Sequence, residues 1–286
     1  MLHKIEGLDH TLVGVADLEQ ARVQYERLGF TITPRGSHIG WGTANYCIMF
    51  DEDYIELLGI VAPSKESNGL DAQLEDRGEG MLGLAFASSD PEETVRSMKL
   101  AGLEPTGPHD LKRKLELPEG DVIPEFKLIR FPTQGLSKRG LFICHHLTPE
   151  MIREPEWLEH ANGSQYIQSV VVLVEDPASL IPHYTQLCGS LNVTTTDATI
   201  TVSVGRLNLI FVKEQDLDLL FPGLFISDEL PELPHILSMS IAVESLSDTA
   251  DYLKKKDVAV QDISSGRALR IQPKDACGVL LEFVEA

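Results

Sequence analysis

The 286-residue sequence predicts an α+β protein made of four βαβββ modules that pair into two domains. Three observations support this fold class. An apolar strand, a helix-capping residue and a short amphipathic helix recur four times along the chain. The recurrences are evenly spaced, since Asp17 and Asp90 are 73 positions apart (90 − 17) and Asp176 and Ser245 are 69 apart (245 − 176). Further strand-like runs follow the helices. One helix leaves much of each module's sheet uncovered, so two curved sheets would pack together and enclose a cleft.

The ends of the four helices are marked by residue type. The repeated segments are residues 8–18, 81–91, 167–177 and 236–246. An Asp or Ser after the strand can accept a hydrogen bond from a free N–H of the first helical turn. Pro91 and Pro177 fall near the first helical position, where a missing N–H costs nothing. Gly29, Gly102 and Gly189 stand where a left-handed residue ends a helix.

The remaining strands and the domain boundary follow from apolar runs and turn residues. The predicted later strands are residues 30–33, 45–50 and 54–60 in the first module, 125–131 and 140–146 in the second, and 268–272 and 278–284 in the fourth. Residues 148–163 form the predicted linker, which begins with a capped short helix at 148–151. This places one domain over residues 1–160 and a second over residues 161–286.

Charge and composition exclude several classes of function. The chain has 24 Lys and Arg against 44 Asp and Glu, a formal net charge of −20. This field repels phosphate backbones and anionic membrane surfaces, so neither nucleic acid nor a membrane is expected as a partner. No apolar run is long enough to span a bilayer, and the N-terminus lacks an apolar signal core. The four cysteines form no CxxC pair, which is typical of reduced thiols in a cytoplasmic protein.

The motifs resemble a known superfamily. Residues 36–45 (GSHIGWGTAN), 54–59 (YIELLG), 145–149 (HHLTP) and 157–163 (WLEHANG) carry the likeness, together with the paired modules. They resemble a glyoxalase-like family of two-domain bacterial proteins in the vicinal oxygen chelate (VOC) superfamily. That superfamily includes glyoxalase I, extradiol dioxygenases, methylmalonyl-CoA epimerase, and the fosfomycin- and bleomycin-resistance proteins.

The resemblance implies a metal site in the N-terminal domain. VOC modules offer one ligand position on the first strand and one on the last. Here those positions predict His10, Glu56 and His146 as ligands of a divalent ion, with Mn²⁺, Fe²⁺, Ni²⁺, Co²⁺ or Zn²⁺ all suited to two imidazoles and one carboxylate. Gly83 leaves one position open. The C-terminal modules offer only Glu282 as a charged ligand, so that domain is interpreted as degenerate.

A pocket wall is predicted from the same motifs. His38, Trp41 and Asn45 come from a loop rich in small residues, which lets the backbone approach a ligand closely. The other predicted substrate-binding residues are His145, Trp157 and His160, and Arg35 and Arg130 are candidates for pairing an anion. The non-functional alternatives are that the loop is an ordinary hairpin connection with a surface Trp, that an aromatic residue anchors the linker, and that Glu56 faces water.

The favoured function is a divalent-metal-dependent lyase or isomerase that acts on a small oxygenated metabolite. Glu56, His38 or a water on the ion would move the proton. Two alternatives stay open: an Fe(II) extradiol-type dioxygenase, and a non-catalytic protein that binds a small molecule or confers resistance. The sequence also leaves two assemblies open, with the C-terminal modules packing on the first pair or pairing with a second chain in a homodimer.

Overall fold

A computed structural model describes residues 2–137, 140–222, 224, 232–263 and 266–286. The N-terminal half contains β1 (Ile5–Gly14), α1 (Leu18–Arg27), β2 (Gly36–His38), β3 (Thr43–Met49), β4 (Tyr54–Ile60), α2 (Leu70–Arg77), β5 (Gly80–Ser88), α3 (Pro91–Leu100), β6 (Thr106–Leu115), β7 (Glu125–Arg130) and β8 (Leu141–His146). The C-terminal half contains β9 (Ser164–Leu173), α4 (Ile181–Cys188), β10 (Val193–Thr195), β11 (Thr199–Val204), β12 (Leu207–Val212), α5 (Leu217–Leu220), β13 (His235–Val243), α6 (Leu246–Lys255), β14 (Gln261–Ile263), β15 (Ala268–Ile271) and β16 (Leu280–Glu285). The predicted α+β class and its four βαβββ modules are confirmed.

The two halves differ in how their strands close. Strands β1 to β8 form a closed barrel in the order β1-β4-β3-β2-β6-β7-β8-β5. Strands β9 to β16 form an eight-stranded sheet in the equivalent order, β10-β11-β12-β9-β13-β16-β15-β14. In the barrel, β2 pairs with β6, whereas the corresponding β10 and β14 are the edges of the second sheet. Closure therefore gives the N-terminal half an enclosed interior.

The predicted helix starts and stops are confirmed. Asp17 Oδ1 accepts a hydrogen bond from Gln20 N at 3.0 Å. Asp90 and Ser245 make the same capping bond to Glu93 N and Asp248 N, whereas Asp176 Oδ1 accepts from Ala178 N in the 3₁₀ turn Pro177–Leu180 that precedes α4. The three stop glycines, Gly29, Gly102 and Gly189, have φ angles of 99°, 81° and 92°. Local chemistry alone is sufficient for these boundaries, because each depends on residues within one turn.

Other predicted elements are wrong. Residues 30–33 are not a strand. Phe30 N donates to Tyr25 O at the end of α1, and Thr33 N donates to Cys47 O, so these residues do not form a regular ladder. The helix at 148–151 is a single 3₁₀ turn at Pro149–Met151, and Thr148 does not cap it, since its Oγ1 accepts from Glu125 N. Several elements were not located from the sequence, among them α2 and β6. The charged residues of β6 hide its strand pattern.

One hydrophobic core joins the two halves. Val13, Ile55 and Leu84 of the barrel's outer face share it with residues such as Val170 and Ile241 of the second sheet. Polar contacts add to this packing: Tyr25 Oη donates to Ala276 O at 3.2 Å, and Ile167 N donates to Oδ1 of the Asp53 carboxyl group at 3.3 Å. The C-terminal modules thus pack on the first pair within one chain. No helix in the described residues is long and apolar enough to cross a membrane.

Asp53 makes this junction sensitive to pH. Burial raises the pKa of its carboxyl to about 8, although the Ile167 amide and Arg153 oppose the shift. Between about pH 4 and pH 8 the native protein keeps a proton that the unfolded chain has lost, so the free energy of unfolding falls as pH rises through this window. We expect Asp53→Asn to remove most of that fall.

The measurement is the melting temperature of the parent and of Asp53→Asn at about pH 5 and about pH 9. The parent should lose several degrees more than the variant between the two values. Equal losses in both proteins would contradict the assignment of this pH dependence to Asp53.

Candidate functional site

A cavity of about 150 Å³ is lined by residues of the barrel strands and of α2. A cavity of this size admits a benzene ring. Its wall is mostly apolar, with side chains such as Leu12, Leu58, Leu82, Leu111, Phe126 and Phe142. Its polar groups include His10, His38, Asn45, Glu56 and Arg113. A mostly apolar pocket with a few convergent polar groups is typical of a small-molecule site.

The strand pattern of β4 directs Glu56 into this cavity. Tyr54, Glu56 and Leu58 line the cavity, while the alternate residues Ile55 and Leu57 enter the core that is shared with the second sheet. Period-two alternation therefore explains why one carboxylate stands in an apolar strand that is buried on both faces. On the neighbouring strand β1, His10 lies opposite Tyr54. Because Tyr54 and Glu56 are two residues apart on the same face of β4, the side chain of His10 is next to that of Glu56.

Glu56 is 6% exposed and faces three polar side chains. Asn45 Nδ2 donates to Glu56 Oε1 at 2.5 Å. His10 Nε2 lies 3.6 Å from Oε2, and His38 Nε2 lies 3.9 Å from Oε1. Burial raises the pKa of Glu56, but His10, His38, Arg113 and Asn45 outweigh it and hold the pKa below its usual range. Glu56 is thus a carboxylate at neutral pH.

Both imidazole distances suit ligands that share a cation. They are too long for hydrogen bonds. With metal–ligand bonds of about 2.1 Å, two ligands at a tetrahedral angle are about 3.4 Å apart. The donor set of two imidazoles and a carboxylate also suits a first-row divalent ion. The residue types around Glu56 therefore suit the metal that the resemblance implies, but the ligand atoms of His10, His38 and Glu56 do not all lie within 4.8 Å of one another, so these side chains would have to move closer together to share one ion.

A β-bulge supplies a positioning residue for His10. In the β1–β5 ladder the register jumps between Leu8 and His10, so Asp9 is an extra residue. A bulge re-aims side chains that strict alternation would point to opposite faces. Asp9 Oδ1 lies 2.5 Å from His10 Nδ1, and Asp9 Oδ2 lies 2.9 Å from His146 Nε2.

This contact fixes the state of the His10 ring. Burial raises the pKa of Asp9, but the two histidines His146 and His10 lower it far more, so Asp9 is ionised. An ionised carboxylate only accepts hydrogen bonds, so His10 Nδ1 carries the proton. His10 Nε2, the other ring nitrogen, then faces Glu56, as in carboxylate–histidine–metal arrangements.

The structure does not bring the predicted ligand His146 to Glu56. Ligand atoms of Asp9, Cys144 and His146 lie within 4.8 Å of one another, in a cluster beside the cavity. His146 Nε2 is engaged by Asp9, and its ring packs edge-on against Phe126. The second imidazole that approaches Glu56 is that of His38.

The loop residues His38, Trp41 and Asn45 all line the cavity. Thr43 Oγ1 lies 2.9 Å from His38 Nδ1, and the His38 and Trp41 ring centroids are 5.6 Å apart. Burial lowers the pKa of His38 more than the nearby Glu56 raises it. His38 is therefore a neutral imidazole at neutral pH, the form that binds metals.

The structure places the other predicted contacts away from the cavity lining. His145 Nδ1 lies 2.6 Å from Ser88 O. His160 accepts from Thr31 N and contacts Met49 O, and burial lowers its pKa to about 4. Trp157 is buried in a small apolar cluster with neighbours such as Met49. These contacts match the alternative interpretation, a linker that is anchored to the barrel.

Of the two arginines predicted as candidates for pairing an anion, Arg130 lines the cavity and Arg35 forms a salt bridge with Glu116 at 2.9 Å. A third arginine, Arg113 of β6, was not predicted. It is 5% exposed and lines the cavity. Its sequence neighbours Lys112 and Lys114 suggest a solvated surface, and only the alternation of β6 would have shown that the middle residue points inward.

The C-terminal sheet has no comparable ligand set among its described residues. Glu282 of β16 accepts from Arg270 Nε at 2.9 Å and is bound by it as an ion pair. Among the described residues, the group of three metal-ligating side chains whose ligand atoms lie close together, Asp9, Cys144 and His146, belongs to the barrel. The candidate site is therefore the barrel cavity.

Comparisons with known proteins agree with this fold. The family model of the glyoxalase-like domain matches residues 8–188. No curated protein matches the chain significantly. A crystal structure of a hypothetical protein from Staphylococcus aureus is similar, with 12% identity and a TM-score of 0.65 over 98% of this chain and 99% of that one.

Two further solved structures are similar at 12% identity. One is a mutant of 4-hydroxymandelate synthase from Streptomyces coelicolor, with a TM-score of 0.63 over 98% of this chain and 92% of that one. The other is a fusion of a xylose isomerase-like TIM barrel and a 4-hydroxyphenylpyruvate dioxygenase, with a TM-score of 0.60 over 98% of this chain and 49% of that one. At this identity the likeness concerns the fold.

Proposed function

This chain belongs to the glyoxalase-like domain family, and from that premise we propose that it is a divalent-metal-dependent lyase or isomerase acting on a small oxygenated metabolite. The observation that carries the proposal is the arrangement around Glu56. A buried carboxylate faces two imidazole nitrogens at 3.6 Å and 3.9 Å, inside a cavity of substrate size. A buried charge with this donor set calls for a cation.

His10, His38 and Glu56 would hold the ion, with His38 in the position first predicted for His146. When bound, the ion would act as a Lewis acid on two adjacent oxygens of the metabolite and offset the negative charge that develops there. Mn²⁺, Fe²⁺, Ni²⁺, Co²⁺ and Zn²⁺ all suit these ligands. Asp9 would keep His10 Nε2 directed toward the ion.

The side chains also supply the proton transfer. Glu56 is ionised, so one of its carboxylate oxygens can accept a proton from a carbon next to a carbonyl group. Asn45 Nδ2 holds Oε1 in place, which fixes the direction of the other oxygen. The apolar wall excludes water and strengthens these electrostatic interactions. With His38 as a ligand, Glu56 is the base.

Metal binding by histidine variants tests the proposal. The protein is purified without a chelator or an affinity tag, its metal content is measured, and Mn²⁺ is titrated into chelator-treated protein. We expect His10→Ala and His38→Ala to weaken Mn²⁺ binding by at least about 100-fold, while the control His146→Ala stays within about tenfold of the parent. Equal binding by His10→Ala and the parent would refute the proposal.

The same preparations separate the reaction classes. A lyase or isomerase should exchange the proton next to the carbonyl group of hydroxycarbonyl probes for deuterium in D₂O, in a metal-dependent manner. Oxygen uptake with catechols would instead indicate a dioxygenase. Thermal stabilisation by small ligands without metal dependence or turnover would indicate a binding protein.

A further inference from the structure

Arg113 is a buried cation without a counter-ion in the barrel cavity. Its side chain is 5% exposed, and no salt bridge to it occurs in the described part of the chain. Nη1 donates to Cys47 Sγ at 3.2 Å, and Nε has no hydrogen-bond partner among the described residues. Burial raises the pKa of Cys47, so this sulfur is a neutral thiol and does not balance the charge.

The nearby carboxylate does not fill this role. Glu56 attracts Arg113 but lies beyond salt-bridge distance, and its oxygens already face Asn45, His10 and His38. Burying an unpaired guanidinium costs several kcal/mol, so such groups are normally paired with an anion. The position therefore has a chemical requirement that the described chain leaves unmet.

The guanidinium is also held in a defined place. It lies over the Phe126 ring, 5.6 Å from the centroid. Gly36 on the paired strand β2 makes room for it, since a Cβ at Gly36 would stand 3.3 Å from Arg113 Nη1 and 2.0 Å from Asn45 Oδ1. Asn45 Oδ1 is itself buried without a partner. Cys47, Phe126 and the close approach of Gly36 thus hold the guanidinium at one place in the cavity wall.

We propose that Arg113 binds a carboxylate of the metabolite, so that the substrate class is small monocarboxylic acids with an apolar body. This rests on the proposed function, because it assigns the substrate of the same cavity. A guanidinium matches the planar carboxylate with parallel N–H bonds. The leucine and phenylalanine side chains of the wall would contact the apolar body.

A matched pair of probes tests the assignment. The carboxylate α-hydroxyisocaproate and its amide have the same shape and differ in charge. Calorimetric titration of the full chain, both chelator-treated and Mn²⁺-loaded, should show the carboxylate binding at least about tenfold more tightly than the amide. Arg113→Met should abolish the preference. Arg130→Met, which removes another arginine from the cavity wall, should keep it.

Other results would overturn the proposal. The proposal fails if the parent does not bind the carboxylate at millimolar concentration. It also fails if Arg113→Met still prefers the carboxylate to the amide, or if only Arg130→Met loses that preference. If Arg113→Met does not fold, Arg113→Lys keeps the charge without the planar fork and should reduce the preference at least about fivefold. Mn²⁺ affinity is measured in each variant, and the chelator-treated arm reports carboxylate selectivity even if the metal hypothesis fails.

Discussion

Replacing Glu56 with glutamine is expected to lower the Mn²⁺ affinity of the chain by at least about 100-fold and to abolish metal-dependent proton exchange. Glutamine keeps the shape of the side chain, and its amide oxygen can still accept the hydrogen bond from Asn45 Nδ2. What it removes is the negative charge between His10 and His38. The loss therefore reports the charge of one buried carboxylate.

The control is Glu116→Gln, the same exchange at a carboxylate that pairs with Arg35 outside the cavity lining. It should bind Mn²⁺ like the parent. Circular dichroism and the melting temperature show whether Glu56→Gln is folded, and we expect a modest loss of stability without metal, because the lowered pKa of Glu56 means that its charge is favourable in the folded state. Mn²⁺ binding by Glu56→Gln within about threefold of the parent would rule out Glu56 as a ligand.

The parts of this fold that the sequence predicts are those encoded by neighbouring residues. The four helix caps and the three left-handed glycines each depend on one turn of chain, and β4 was predicted with its observed bounds, Tyr54–Ile60. Strand β6 was missed because His109, Asp110 and three basic residues dominate it. Its inward face exists only because β2 pairs with β6 and closes the barrel, which is a contact between distant segments.

The site shows the same division. His10 and Glu56 could be found from strand positions and the superfamily resemblance, and the structure places His10 Nε2 3.6 Å from Glu56 Oε2. Asp9 could not, because simple alternation points it away from His10, and only the bulge in β1 brings the two side chains into contact. The place of His146 has the same origin, since its ring contacts Asp9 and lies away from Glu56.

In the described part of the C-terminal half, an apolar cluster occupies the face that corresponds to the cavity side of the barrel. In the C-terminal sheet, Val170 and Val172 face the shared core, whereas Val171 and Leu173 face α5. Leu217 and Phe221 cover this second face, which corresponds to the cavity side of the barrel. The charged groups there are Glu282 and Arg270, and they neutralise each other under Phe221.

Removing Glu282 should therefore be the most destabilising change outside the barrel. Arg270 is 0% exposed and is held by Glu282 Oε1 through both Nε and Nη2, each at 2.9 Å. Glu282→Leu leaves that charge buried without a counter-ion, and we expect it to lower the free energy of unfolding by about 3–5 kcal/mol. Urea unfolding followed by circular dichroism measures the change.

The double variant Arg270→Met/Glu282→Leu separates the charge from the packing. Replacing both partners with apolar residues of similar volume removes the buried charge, so the double variant should recover most of the stability that Glu282→Leu loses. Glu125→Leu is the matched control, because its salt bridge with Lys112 is solvent-exposed and should contribute less than about 1 kcal/mol. A double variant as unstable as Glu282→Leu would mean that Glu282 stabilises the sheet by packing and hydrogen bonding, and that its charge is not what Arg270 requires.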